Sequence, residues 1–252
     1  MSHGIISHRE DGVLRLVLDK PEKLNAVDTP MLVALRDGVT AAAADDTVRA
    51  IAVTGAGRAF CSGGDVGGRN TAGAGVAAAE VIEAITTSPK PVIAAVHGAA
   101  VGVGCSLVLA CDLAVVAQSA FFQLAFAKIG LMTDGGLSVL LPAAIGRARA
   151  NRMALLAERI SAADAFDWGM ISHLVPDADY EHTFNEILQA LATGPTQSYG
   201  WIKRAMAAGT LTAMPAVQEV EVSGQELLPR TADFREGVRA FRAREQPRFE
   251  GR

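Results

Sequence analysis

Two strand-like runs that each end in clustered glycines constrain this 252-residue chain most. The first is Pro91-Val-Ile-Ala-Ala-Val-His97-Gly98-Ala-Ala-Val-Gly102-Val-Gly104-Cys105-Ser106. Pro91 and the β-branched Val92, Ile93 and Val96 suit a short buried strand. Gly98, Gly102 and Gly104 then let the backbone turn sharply before Leu107, Val108 and Leu109 continue as a helix. Amides at a helix N-terminus have no intrahelical partner and sit in a positive local dipole, so an oxyanion placed there is stabilised. The second run, Val48 to Thr54, leads into Gly55-Ala-Gly57-Arg58-Ala-Phe60-Cys61-Ser62-Gly63-Gly64-Asp65. Two such loops can offer two backbone donors to one carbonyl oxygen, the construction of an oxyanion hole. Gly-rich turns also serve plain packing. Neither loop carries the third glycine of a dinucleotide fingerprint, and the G-x-S-x-G elbow of serine hydrolases is absent.

Half the residues are apolar, which is ample for a sizeable core in one large domain or a core with a small appendage. A formal charge of −4 argues against nucleic acid as a partner. The arginines from Arg230 to Arg252 make the C-terminus locally basic, either as a solvated face or as a contact for phosphates. Cys61, Cys105 and Cys111 form no C-x-x-C pair and no secreted-scaffold pattern, so reduced thiols and a cytoplasmic setting are expected, with no metal site. Met1 to Glu10 lacks the apolar segment of a signal peptide. The apolar run from Pro91 to Ala117 is long enough to span a bilayer, but His97, Asp112 and the glycines would be costly in lipid, so it reads as strand, helix, strand.

In chain order, Gly4–His8 and Val13–Asp19 read as a hairpin. Pro21 to Asn25 reads as a loop. An amphipathic helix follows to Ala44, with Thr29 as its cap and Pro30 at its first position. Gly67 to Gly75 has the composition of a mobile loop, and a helix runs from Val76 to Thr86. Cys111 to Val116 is a third core strand, which Phe121-Phe122-Gln123 is expected to continue. Leu137 starts a helix, Arg147–Leu156 is another, and Ser161 and Gly169 bracket a third. Ile171–Val175 is a short strand. The remainder is helical, with breaks at Gly194-Pro195 and near Pro229.

Several of these motifs, in this order, resemble the crotonase superfamily of enoyl-CoA hydratases and isomerases. Arg58 to Asp65 is similar to its A-F-(S/C)-x-G-x-D loop. Lys90 to Gly98 with Gly102-Val-Gly104-Cys105 and Cys111-Asp112 matches its second loop. Agreement extends to Pro21-Glu22-Lys23-Leu24-Asn25-Ala26 and to Glu236-Gly237, Ala240-Phe241, Arg244 and Pro247-Arg248-Phe249. The resemblance implies an α/β fold, a spiral of strand-strand-helix turns in residues 1–195. It implies a helical C-terminal region, 196–252, for oligomerisation and CoA contact. It further implies an acyl-CoA thioester as substrate, no cofactor beyond the coenzyme A that the substrate carries, and a homotrimer or hexamer. Carried over position by position, the oxyanion donors are the amides of Gly64 and Val103. The substrate contacts are Lys23, Leu24, Ala26, Ser62, Gly63, Asp65, Ser106, Phe126, Phe241 and Arg244.

The carry-over fails where a hydratase keeps its two glutamates: those positions hold Ser106 and Phe126. Water addition needs a base for water and an acid for carbon, and neither carboxylate is present. Asp134, in Gly130-Leu-Met-Thr-Asp134-Gly135-Gly136, matches the Gly-Leu-x-x-Asp of isomerase-type members. A lone carboxylate there can move a proton between carbons while two amides hold the enolate. Asp before Gly-Gly-Leu is equally a helix N-cap. His97 reads as a hydrogen-bonded core histidine. The favoured expectation is an enoyl-CoA isomerase; the alternatives are a hydratase or another lyase, and a non-catalytic acyl-CoA-binding protein.

Overall fold

The structure, a computed structural model, describes residues 3–66 and 73–252. A hairpin opens the fold: strands β1 (Ile5–Glu10) and β2 (Val13–Leu18) pair antiparallel about Asp11-Gly12. Helix α1 (Thr29–Ala44) follows, and Asp28 rather than Thr29 caps it, its side chain accepting from Met31 N at 3.1 Å. The expected cap was one residue late: Thr29 is already the first helical residue, and Asp28, still extended, is placed to reach the open amide. Then come β3 (Ala50–Gly55), α2 (Ala74–Thr87), β4 (Val92–Val96), β5 (Ala99–Val101) and α3 (Val103–Ala110). Positions 67–72 of the expected mobile loop lie outside the described residues, and Gly73 opens α2 with φ +74°.

Next are β6 (Leu113–Ala117), β7 (Phe121–Gln123), α4 (Leu137–Ile145), α5 (Arg147–Leu156), β8 (Arg159–Ser161), α6 (Ala162–Asp167) and β9 (His173–Val175). Ser161 caps α6 as expected, accepting from Asp164 N. Phe121–Gln123 does not continue the third core strand. A turn closed by Ala120 N on the Ala117 carbonyl swings it into a second sheet, where it pairs with β5 and β8. Four helices finish the chain: α7 (Tyr180–Thr193), α8 (Thr196–Thr210), α9 (Met214–Leu227) and α10 (Ala232–Ala243).

The large sheet has the order β1-β2-β3-β4-β6-β9, parallel except for β1, and the small one β5-β7-β8. Both faces of the large sheet are covered. Val92, Ala94 and Val96 of β4 face the main core with α1, α2 and α3, while Ile93 and Ala95 face Phe184, Leu188 and Ala192 of α7. Burial on both sides explains why β4 is a continuous apolar run. The run from Pro91 to Ala117 is thus strand, helix and strand, and among the described residues no helix is long and apolar enough to cross a membrane.

The spiral repeats. Each turn gives one strand to the large sheet and one segment to the small one before a helix returns: β4, β5, α3, and then β6, β7, α4. The turn that starts at β3 contributes only Cys61, whose isolated bridge to Ala100 extends the small sheet, before α2.

Candidate active site

The two glycine loops run side by side. Cys61 N donates to the Ala99 carbonyl and Val101 N to the Cys61 carbonyl, both at 2.9 Å, so the loop after β3 lies parallel to β5 with residue 61 beside residue 100. Gly64 and Val103 each lie three residues past that bridge, one on each loop. The loops also touch beyond the bridge: a Cβ added to Gly102 would lie 3.7 Å from Gly63 Cα, and one at Gly104 only 2.9 Å from Cys61 Cβ and its carbonyl oxygen. Gly64 bridges Val27, but that bridge uses the Gly63 carbonyl and the Asp65 amide, which leaves the Gly64 N–H pointing away from it. Val103 is the first residue of α3, where no intrahelical acceptor exists. Among the described residues neither amide has a hydrogen-bond acceptor. A Cβ built on Gly64 would meet no described residue within 4 Å, and Gly64 is exposed.

The segment from Lys23 to Ala26 is stitched to the first loop. Ser62 N donates to the Leu24 carbonyl at 2.9 Å, Ser62 Oγ to the Lys23 carbonyl at 3.1 Å, and Lys23 Nζ pairs with Asp65 Oδ2 at 2.8 Å. The Asp65 charge beside Lys23 raises the pKa of that amine. The clamp beneath is Asn25, fully buried. It accepts from Lys20 N at 2.9 Å and donates to the carbonyls of Ala56 and Ala59 at 2.8 and 2.7 Å. Sequence reasoning placed Asn25 in a motif and gave it no role of its own.

Asp134 lies over the first turn of α3. Ser106, one turn beyond Val103 on the same helix, donates its hydroxyl to the Asp134 carbonyl at 2.9 Å, and Gly135 packs on the Ser106 side chain. The side chain of Asp134 does not cap α4. That work falls to Glu221 of α9, whose carboxylate accepts from Gly136 N at 2.6 Å and Ser138 N at 2.9 Å. Asp134 Oδ2 accepts from Gln225 Nε2 at 3.3 Å; Oδ1 is buried with no hydrogen-bond partner among the described residues. Burial above all, and the nearby Glu221 charge next, push the Asp134 carboxyl up to about 7. A carboxyl with one free buried oxygen, raised towards neutrality, suits proton exchange.

Phe126 rests against the second loop, its Cζ 3.6 Å from where a Cβ on Gly102 would stand. Phe241 and Arg244 are exposed on α10 and its C-cap, and no described hydrogen bond or ion pair ties them to the loops. His97 Nε2 contacts the Gly57 carbonyl at 2.9 Å, the expected hydrogen bond, although the residue is half-buried and not in the core.

The family model described as enoyl-CoA hydratase/isomerase matches residues 8–252. The chain belongs to the enoyl-CoA hydratase/isomerase family. Among curated relatives of this hydratase/isomerase, a probable enoyl-CoA hydratase of Rhodobacter capsulatus is 42% identical, with 99% of each chain covered. The 1,2-epoxyphenylacetyl-CoA isomerase of Escherichia coli is 39% identical over the whole of both chains. An enoyl-CoA hydratase structure from Mycobacterium avium subsp. paratuberculosis superimposes with a TM-score of 0.94 at 38% identity, covering 98% of each chain. The fold is therefore that of the crotonase superfamily, and the protein is an acyl-CoA enzyme of the hydratase/isomerase family. Glu221 and Gln225, which surround Asp134, were not foreseen.

Proposed function

We propose that this family member is an enoyl-CoA isomerase. In this reading the thioester oxygen of a 3-enoyl-CoA sits between the amides of Gly64 and Val103. Asp134, ionised, removes a proton from the α carbon; the electrons pass into the thioester, whose enolate oxygen the two amides hold. The protonated Asp134 then returns the proton to the γ carbon, and the double bond has moved. No cofactor is needed beyond the coenzyme A that the substrate carries. Each backbone donor contributes roughly 3 kcal/mol to the transition state and the acid/base roughly 10²–10⁴-fold.

The observation that carries the reading is Asp134 itself: relieved of capping by Glu221, with Oδ1 buried and without a partner among the described residues. The positions of the two hydratase glutamates point the same way, because Ser106 is engaged with the Asp134 main chain and Phe126 packs on Gly102. The E. coli relative named as an isomerase adds support. Lys23, Leu24, Ala26, Ser62, Gly63 and Asp65 form the wall proposed to meet the CoA moiety. Phe241 and Arg244, which have no described hydrogen bond or ion pair to that wall, are proposed to contact CoA across a homotrimer or hexamer. Exposed Trp201, Met206 and Phe241 supply apolar surface for such contacts.

Asp134→Asn should abolish conversion of 3-hexenoyl-CoA to 2-hexenoyl-CoA, a loss of about 10²-fold or more, while calorimetry shows CoA-ester affinity nearly intact. Full activity in that variant ends the proposal. Water addition to crotonyl-CoA by the wild type at a comparable rate would favour the hydratase alternative.

A further inference from the structure

The acid/base does not stand alone. Asp134 is bordered by α2 through Ile82, which packs on Gly135 and Gly136, by α3 through Ser106, and by α9 through Met214, Glu221 and Gln225. Of these, Glu221 is the charged group and Gln225 supplies the hydrogen bond to the carboxyl. Gln225 Nε2 reaches two acceptors at once, the Met132 carbonyl at 2.7 Å and Asp134 Oδ2 at 3.3 Å. It therefore ties the main chain before Asp134 and the side chain of Asp134 to one point on α9. One turn earlier on α9, Glu221 grips the N-terminus of α4, which locks the height at which Gln225 meets the loop.

We propose that Gln225 is the positioning residue of the acid/base: it holds Oδ2 of Asp134, fixes the carboxyl plane, and leaves Oδ1 as the oxygen that exchanges the proton. The proposal rests on the reading of Asp134 as the proton carrier. An amide donor on Oδ2 favours the ionised carboxyl, while burial and the Glu221 charge favour the neutral one. Gln225 thus offsets part of the rise that would otherwise keep Asp134 protonated at neutral pH. A side chain acting only as packing would have no such effect on titration.

The test measures Asp134 directly. Infrared difference spectra of the full-length protein, with Asp134→Asn as the blank, give the pH at which the Asp134 carboxyl band titrates. Gln225→Met keeps length and helix propensity but has no donor. It should move that midpoint up by about one pH unit. Turnover of 3-hexenoyl-CoA at pH 7 should fall roughly 10- to 100-fold through kcat, with KM little changed. Gln225→Glu, which places a further negative charge beside Oδ2, should move the midpoint up further. A midpoint unchanged in both variants overturns the role of Gln225. Should Asp134→Asn keep full turnover while the midpoint still shifts, the isomerase reading fails and the hydrogen bond stands.

Discussion

At the scale of single residues, Asp134 shows that one carboxylate can be read two ways from sequence and one way from structure. Its position before Gly135-Gly136-Leu137 fits a helix cap, yet the cap on α4 comes from 85 positions away in Glu221. Nothing in Met214–Leu227 separates Glu221 from Glu219 or Glu226, because the difference lies in which face of α9 meets α4. Gln225 was hidden for the same reason. The buried Asp134 carries a stability cost of definite sign. Free aspartate titrates near 3.8 and Asp134 near 7. Between those values the unfolded chain holds fewer protons than the folded one, so the contribution of this group to stability falls as pH rises across the window and stays lost above it. Urea denaturation should accordingly show Asp134→Asn gaining on the wild type from pH 4 to above pH 7, by on the order of 2–4 kcal/mol. A stability difference that is flat with pH would contradict the burial described for this carboxyl.

At the scale of elements, the strands and glycine loops were legible because their signals are local. β3 and β4 follow from apolar runs and the glycines after them, β2 from the hairpin turn before it, and α3 from the apolar residues after Gly104, with boundaries shifted by up to four residues. Less legible was where each strand went. Phe121–Gln123 has the composition to extend β6, and only the turn at Ala120 and the free edges of β5 and β8 send it to the small sheet. The requirement for glycine at 104 is also an element-level fact, since it sets how closely α3 approaches the loop after β3. In Gly104→Ala the new Cβ would press on Cys61 Cβ and its carbonyl at 2.9 Å and displace the segment that carries Gly64. The expected result is a loss of turnover of about 10²-fold together with a lowered Tm. Gly209→Ala, in α8 with nothing within 4 Å of the added carbon, should leave turnover unchanged. Equal behaviour of the two variants would mean that the close approach of the loops does not matter.

At the scale of the whole molecule, five stretches spread along the chain are brought into contact one with the next: residues 23–26, 61–65, 102–106, 132–138 and 221–225. The spiral explains the first four, because each turn returns its loop to the same side of the sheets. The fifth depends on the C-terminal helices being fastened down. Lys203 of α8, largely buried, pairs with Asp112 at 2.6 Å and donates to the carbonyls of Lys90 and Ile85, which binds these helices to β4 and α2. Burial raises the Asp112 pKa even beside that cation. A crystal structure with a non-isomerisable acyl-CoA thioester would put all five stretches to the test together. The thioester oxygen should lie about 3 Å from both Gly64 N and Val103 N, with Asp134 Oδ1 within about 3.5 Å of the α or γ carbon. An oxygen that meets neither amide, or an acyl chain that runs away from Asp134, would contradict the account.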